Sequence, residues 1–111
     1  MIRTVLTLYP KSGENKKLIG FFSERGILER AVEFEGCLSV ELQVAESDGS
    51  EVLVTALWDS IENYNLYLNS TGREQDVKQM KELLADPEQE IGTACLYKVY
   101  AYVSQATPHT A

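Results

Sequence analysis

The strand-like stretches of the chain are separated by runs in which apolar residues recur at helical spacing. From Ile2 to about Tyr9 the sequence reads as a first strand, stopped by Pro10 and the Lys11-Ser12-Gly13 turn. Leu18, Phe21, Phe22, Leu28 and Val32 then mark one apolar stripe, which predicts a first helix from about Glu14 to Phe34. Gly26 within it weakens that helix by about 1 kcal/mol relative to Ala. Gly36 leads into a second strand, Cys37 to Glu46, and Ser47-Asp48-Gly49-Ser50 forms a hairpin turn to a third, Val52 to Trp58. Asp59 or Ser60 caps the next helix, with Asp59 and Glu62 spaced as a capping box. Ile61, Tyr64 and Leu68 make its stripe; Asn69-Ser70-Thr71-Gly72 interrupts it; Arg73, Val77, Met80 and Leu84 resume it until Asp86-Pro87. A last strand spans about Thr93 to Val103.

This order, β-α-β-β-α-β, predicts an α+β, ferredoxin-like domain over residues 1–103, followed by a tail, 104–111. The third and last strands are apolar, or nearly so, on both faces. Two helices can cover only one face of a four-stranded sheet, so the other face calls for a partner, and a second copy of the chain is the expected one.

The 111 residues suit one domain. A net charge of −7 with no basic cluster beyond Lys16-Lys17 argues against nucleic acid and against an anionic membrane surface as partners. No apolar run approaches the roughly 20 residues of a membrane span, and the N-terminus lacks the pattern of a signal peptide, so a cytoplasmic location is expected. Cys37 and Cys95 read as two small buried hydrophobes in a reducing compartment. Two cysteines and one histidine, His109 in the tail, cannot build a four-ligand structural zinc site without carboxylates, and no nucleotide-binding or nucleophile signature is present.

The segment from Trp58 to Ser70, which leaves a strand and opens a helix, and the segment from Glu35 to Leu42, which joins the first helix to the second strand, together resemble the antibiotic biosynthesis monooxygenase superfamily. The resemblance extends to about Tyr102 and rests on a strand-end Trp, an aromatic residue six positions later and a Gly before the second strand. It implies a dimeric α/β barrel, two such units packed sheet to sheet, with a pocket in each subunit between sheet and helices. Several members of that superfamily oxidise phenols, anthrones or quinols with O2 and without metal or flavin; others degrade haem, isomerise or cyclise small molecules. The haem-degrading branch does not fit, because Tyr67 stands at its Trp position and Val77 at its His position. The cofactor-free branch matches at Trp58 and Tyr64, has Val54 in place of its Asn, and finds only Arg73 or Lys78 as counterparts of its Arg.

The resulting expectation is a cofactor-independent oxygenase acting on a small aromatic phenol or quinol, with Tyr64 and Arg73 as candidate catalytic residues and Trp58, Tyr67, Arg25 and Phe22 as candidate binding residues. Arg73 would stabilise a phenolate or enolate. Arg25, within the apolar stripe and one turn before Glu29, would anchor substrate or form an ion pair with that Glu. A binding protein without turnover and a cyclase or isomerase are the alternatives on the same pocket.

Overall fold

The computed structural model describes residues 1–105, so the predicted tail, with His109, lies largely outside the described residues. The elements are β1 (Ile2–Leu8), α1 (Asn15–Arg25), α2 (Ile27–Val32), β2 (Cys37–Val44), β3 (Val52–Trp58), α3 (Ile61–Leu68), α4 (Thr71–Met80), a 3-10 turn (Lys81–Leu83) and β4 (Cys95–Lys98). The strands form one antiparallel sheet in the order β2-β3-β1-β4, the ferredoxin-like arrangement.

The register explains which side chains meet. Thr4 lies opposite Ala56, Ile2 opposite Trp58, Leu8 opposite Val52 and Leu42 opposite Val54, so these point to one face by strand alternation. That face carries the helices. One core cluster joins Leu8 and Val52 to Leu18, Phe22, Ile27, Met80, Leu84 and Ile91; a second joins Cys37, Ala56 and Trp58 to Tyr64. The opposite face presents Val5, Leu53, Thr55 and Leu57, with Cys95 and Tyr97 across the β1–β4 ladder. None of these residues belongs to either cluster.

Three expectations change, and one open choice is settled. The first helix is two, because Gly26 adopts the left-handed conformation (φ 59°, ψ 38°) and closes α1 with its amide on Phe22 O and Ser23 O. Its inward residues after the break are Ile27 and Ala31, whereas Val32 is exposed. The cap of α3 is Ser60, whose hydroxyl accepts from Asn63 N–H at 3.2 Å; Asp59 instead takes the Asn63 side-chain amide at 3.0 Å. The last strand has four residues rather than eleven, since the ladder with β1 runs only from Val5–Cys95 to Ile2–Lys98. The upper half of that edge is held by the segment after α4: Ala85 N–H donates to Tyr9 O (2.8 Å), Lys11 N–H to Leu83 O (3.1 Å) and the Gln89 amide to Thr7 O (2.7 Å). Finally, Cys37 is buried but Cys95, on the open sheet face, is exposed. Among the described residues no helix is long and apolar enough to cross a membrane.

Candidate functional site

Between the helix-bearing face of the sheet and the helices lies a small apolar chamber of about 70 Å³. Thr4, Val54, Ala56 and Trp58 form its floor; Phe22, Tyr64, Tyr67 and Met80 close it from the helix side. The sequence places these groups by simple rules. Trp58 ends β3 on its inward parity, and Ser60 caps α3 so that Tyr64 and Tyr67, three residues apart on the helix, both face the sheet. The aromatic rings touch: the Trp58 and Tyr64 centroids are 5.7 Å apart, edge to face, and those of Trp58 and Tyr67 are 5.3 Å apart.

Trp58 is 1% exposed, and its Nε1 has no hydrogen-bond partner. A buried indole N–H normally finds an acceptor, and leaving it without one costs about 1–3 kcal/mol. The Tyr64 hydroxyl accepts from Ala94 N–H at 3.0 Å and so ties α3 to the approach to β4, while its own proton stays available for donation. Burial raises the Tyr67 phenol above its ordinary pKa of 10.0; the positive charge of Arg73 opposes that shift without overcoming it. Tyr67 therefore stays a neutral hydrogen-bonding group at neutral pH.

A wider cleft of about 450 Å³ lies beside the chamber, and Ile27, Ala31, Tyr67, Arg73 and Asp76 line both. Arg73 reaches over the Tyr67 ring, 5.7 Å from guanidinium carbon to centroid. Asp76 is buried and receives Arg30 Nη2 at 2.6 Å, with Arg25 Nη1 at 4.0 Å. Of the six sequence candidates, five meet here: Trp58, Tyr64, Tyr67, Phe22 and Arg73 all line the chamber. Arg25 lines neither cavity; it sits over Phe21 and its carboxylate neighbour is Asp76, not Glu29.

Arg30 and Asp76 were not among the sequence candidates. The signal for Asp76 was its spacing from Arg73 and Met80, three and four residues away on one arc of α4. No such signal existed for Arg30, because Gly26 resets the phase of the helix that carries it. Among the described residues no group of three His, Cys, Asp or Glu side chains is close enough to hold a metal ion.

The family model described as antibiotic biosynthesis monooxygenase matches residues 1–83, from β1 through the turn after α4. The chain belongs to the antibiotic biosynthesis monooxygenase family. The matched span contains every chamber residue described above. Solved structures agree in fold. A Deinococcus radiodurans protein bearing the family's name shares 18% identity at a TM-score of 0.77, covering 96% of this chain and all of that one. Rv0793 from Mycobacterium tuberculosis has 18% identity and a TM-score of 0.67 over 96% of this chain and 98% of its own. A conserved Methanosarcina mazei protein has 14% identity and a TM-score of 0.73, over 87% and 90% respectively. At such identities these similarities speak for the fold of this family member and not for its reaction. No curated protein matches the chain in sequence.

Proposed function

We propose that this family member binds a small phenol- or quinol-type aromatic in the chamber and oxidises it with O2, without a cofactor. The observation that carries the reading is the buried, unpartnered Trp58 Nε1–H in the wall of an apolar cavity beside two tyrosines. A flat ligand bearing a carbonyl or hydroxyl oxygen would fill the cavity and satisfy that donor. Arg73 supplies the positive charge that favours a phenolate near the same wall. An electron-rich phenolate can pass an electron to O2 itself, so the protein's part is binding, desolvation and stabilisation of the anion.

Oxygen consumption with a panel of anthrones, naphthols and quinols tests this. Uptake is expected without added metal, flavin or haem, and none across the panel would favour a binding protein. The rate should rise with pH along the ionisation of the substrate, since burial holds Tyr67 protonated beyond pH 10 and leaves it no role as a base. Substrates of different phenol pKa should therefore show shifted profiles; one common inflection would point to an enzyme group instead. Tyr64→Phe is expected to lower kcat by roughly tenfold or more if the hydroxyl donates to the substrate anion, the value of one charge-assisted hydrogen bond. Unchanged kinetics would assign that hydroxyl to Ala94 alone.

We further propose a homodimer with the open sheet faces together. Val5, Leu53 and Tyr97 lie on the face that neither core cluster covers, and Tyr100, Tyr102 and Val103, which follow β4, are exposed. Sedimentation at micromolar concentration should give about 25 kDa, twice the 12.5 kDa chain mass. A clean species of chain mass would refute the sheet-to-sheet pairing.

A further inference from the structure

The chamber alone is smaller than the roughly 300–1,000 Å³ of ordinary small-molecule sites, while chamber and cleft together fall within that range. A ligand with its aromatic end in the chamber therefore extends past Tyr67 and Arg73 into the cleft. What it meets there is specific. Among the described residues no carboxylate lies within 4.0 Å of Arg73, whose one protein acceptor is Ile91 O at 3.5 Å. Arg30, on the same cleft, is fixed at two points: Nε donates to Arg25 O (3.2 Å) and Nη2 to the buried Asp76 carboxylate (2.6 Å). Its Nη1 passes over Gly72, where a Cβ would come within 3.0 Å of it. The guanidinium is thus held in place with donors left over. The amides of Thr71, Gly72 and Arg73 precede the first helical bond of α4, from Glu74 N–H to Ser70 O, so the positive end of that helix borders the same space.

We propose that the cleft is a second subsite, which holds a carboxylate on the far end of the ligand between Arg30 and Arg73, so that the substrate is an aromatic acid. This rests on the reading of the chamber given above. The cleft lining sets Arg30 and Arg73 against Asp76, Glu33 and Glu35, and among the described residues only Arg30 of the two arginines is paired with a carboxylate, which leaves Arg73 free for a ligand. The cleft's other carboxylates, Glu33 and Glu35, are solvent-exposed and disfavour a doubly charged phosphate more than a singly charged carboxylate. Guanidinium groups match the planar carboxylate with paired N–H donors. Asp76 is a positioning residue here, holding Arg30 over the subsite.

Calorimetric titration with 2-naphthol and with 6-hydroxy-2-naphthoate tests the proposal, because the two share a phenol-bearing ring system and differ by one distal carboxylate. The acid should bind the wild-type protein about tenfold more tightly or better. Arg30→Met, outside the chamber, should remove most of that advantage and leave the affinity for 2-naphthol unchanged, whereas Arg73→Met should weaken both compounds and the acid by the larger factor. Asp76→Asn should shrink the ratio of the two affinities, whereas a merely structural role would lower both alike. Arg73→Met breaks no ion pair, so it carries the test should the Arg30 variant fold poorly. Equal affinity of the two compounds, or an advantage that survives in Arg73→Met, overturns the carboxylate subsite alone. Failure of both compounds to bind overturns the chamber reading and the subsite with it.

Discussion

Trp58→Ala is expected to destabilise the fold by about 3–5 kcal/mol, read as a lowered urea midpoint at unchanged slope. The residue is the largest fully buried side chain and holds two tyrosines by ring contacts, so truncation empties the floor of the second core cluster. Trp58→Phe makes the sharper comparison. It keeps an aromatic ring and removes the one polar atom that has no partner. Loss of an orphaned donor relieves about 1–3 kcal/mol of desolvation cost, which offsets most of the smaller ring's lost packing. The net change in stability is expected to stay within about 1 kcal/mol. If the N–H exists for a ligand, the same Phe variant should bind phenols markedly less well while folding normally, the split that separates a binding residue from a packing one. Equal losses of stability and affinity would assign Trp58 to the core.

The order of the elements was legible because each of the first three strands is bounded by residues that stop it for a local reason: Pro10, the Asp48-Gly49 turn, the Ser60 cap. The aromatic wall of the chamber was legible for the same reason, since Trp58, Tyr64 and Tyr67 are fixed by strand parity and one cap. The arginines were not, and the cause is Gly26. A continuous helix would carry the stripe Leu18, Phe22 on to Leu28 and Val32 and place Glu29 beside Arg25. The left-handed residue instead shifts the phase by one position, so Ile27 and Ala31 turn inward and Arg30 reaches Asp76 on α4. Glycine's tolerance of both signs of φ is invisible to periodicity alone. Cys95 failed for a different reason: an apolar residue in a strand is read as buried, but here its face of the sheet is uncovered by the chain's own helices. The last strand was overlong because its apolar run continues past Lys98, where the β1 ladder has already ended.

Gly36→Ala is expected to cost about 2–4 kcal/mol, although the residue touches neither cavity and adds only one methyl. Two independent penalties combine. Gly36 sits at φ 89°, a conformation L residues avoid by about 1–2 kcal/mol. A Cβ there would also run into Asp59 Oδ1 and lie 2.5 Å from Asn63 Nδ2 and 2.7 Å from Asn63 Cβ, at the start of α3. Neither neighbour is free to withdraw, since Gly36 O accepts Asp59 N–H at 2.8 Å and Asn63 is bound to both Asp59 and the Ser60 cap. This glycine lets the chain leaving α2 lie directly on the β3–α3 corner, and that corner sets the angle between Trp58 and Tyr64. The side-chain contacts can be relieved in part. In an Asn63→Ala background the contact with the Asn63 amide vanishes while those with Asp59 Oδ1 and the Cβ at position 63 stay, so adding Gly36→Ala should cost less than in the wild type but more than the conformational penalty alone. A full cost in both backgrounds would show that the Asn63 amide gives way freely, and a cost below about 1 kcal/mol in the wild-type background would show that α3 can shift away from the turn.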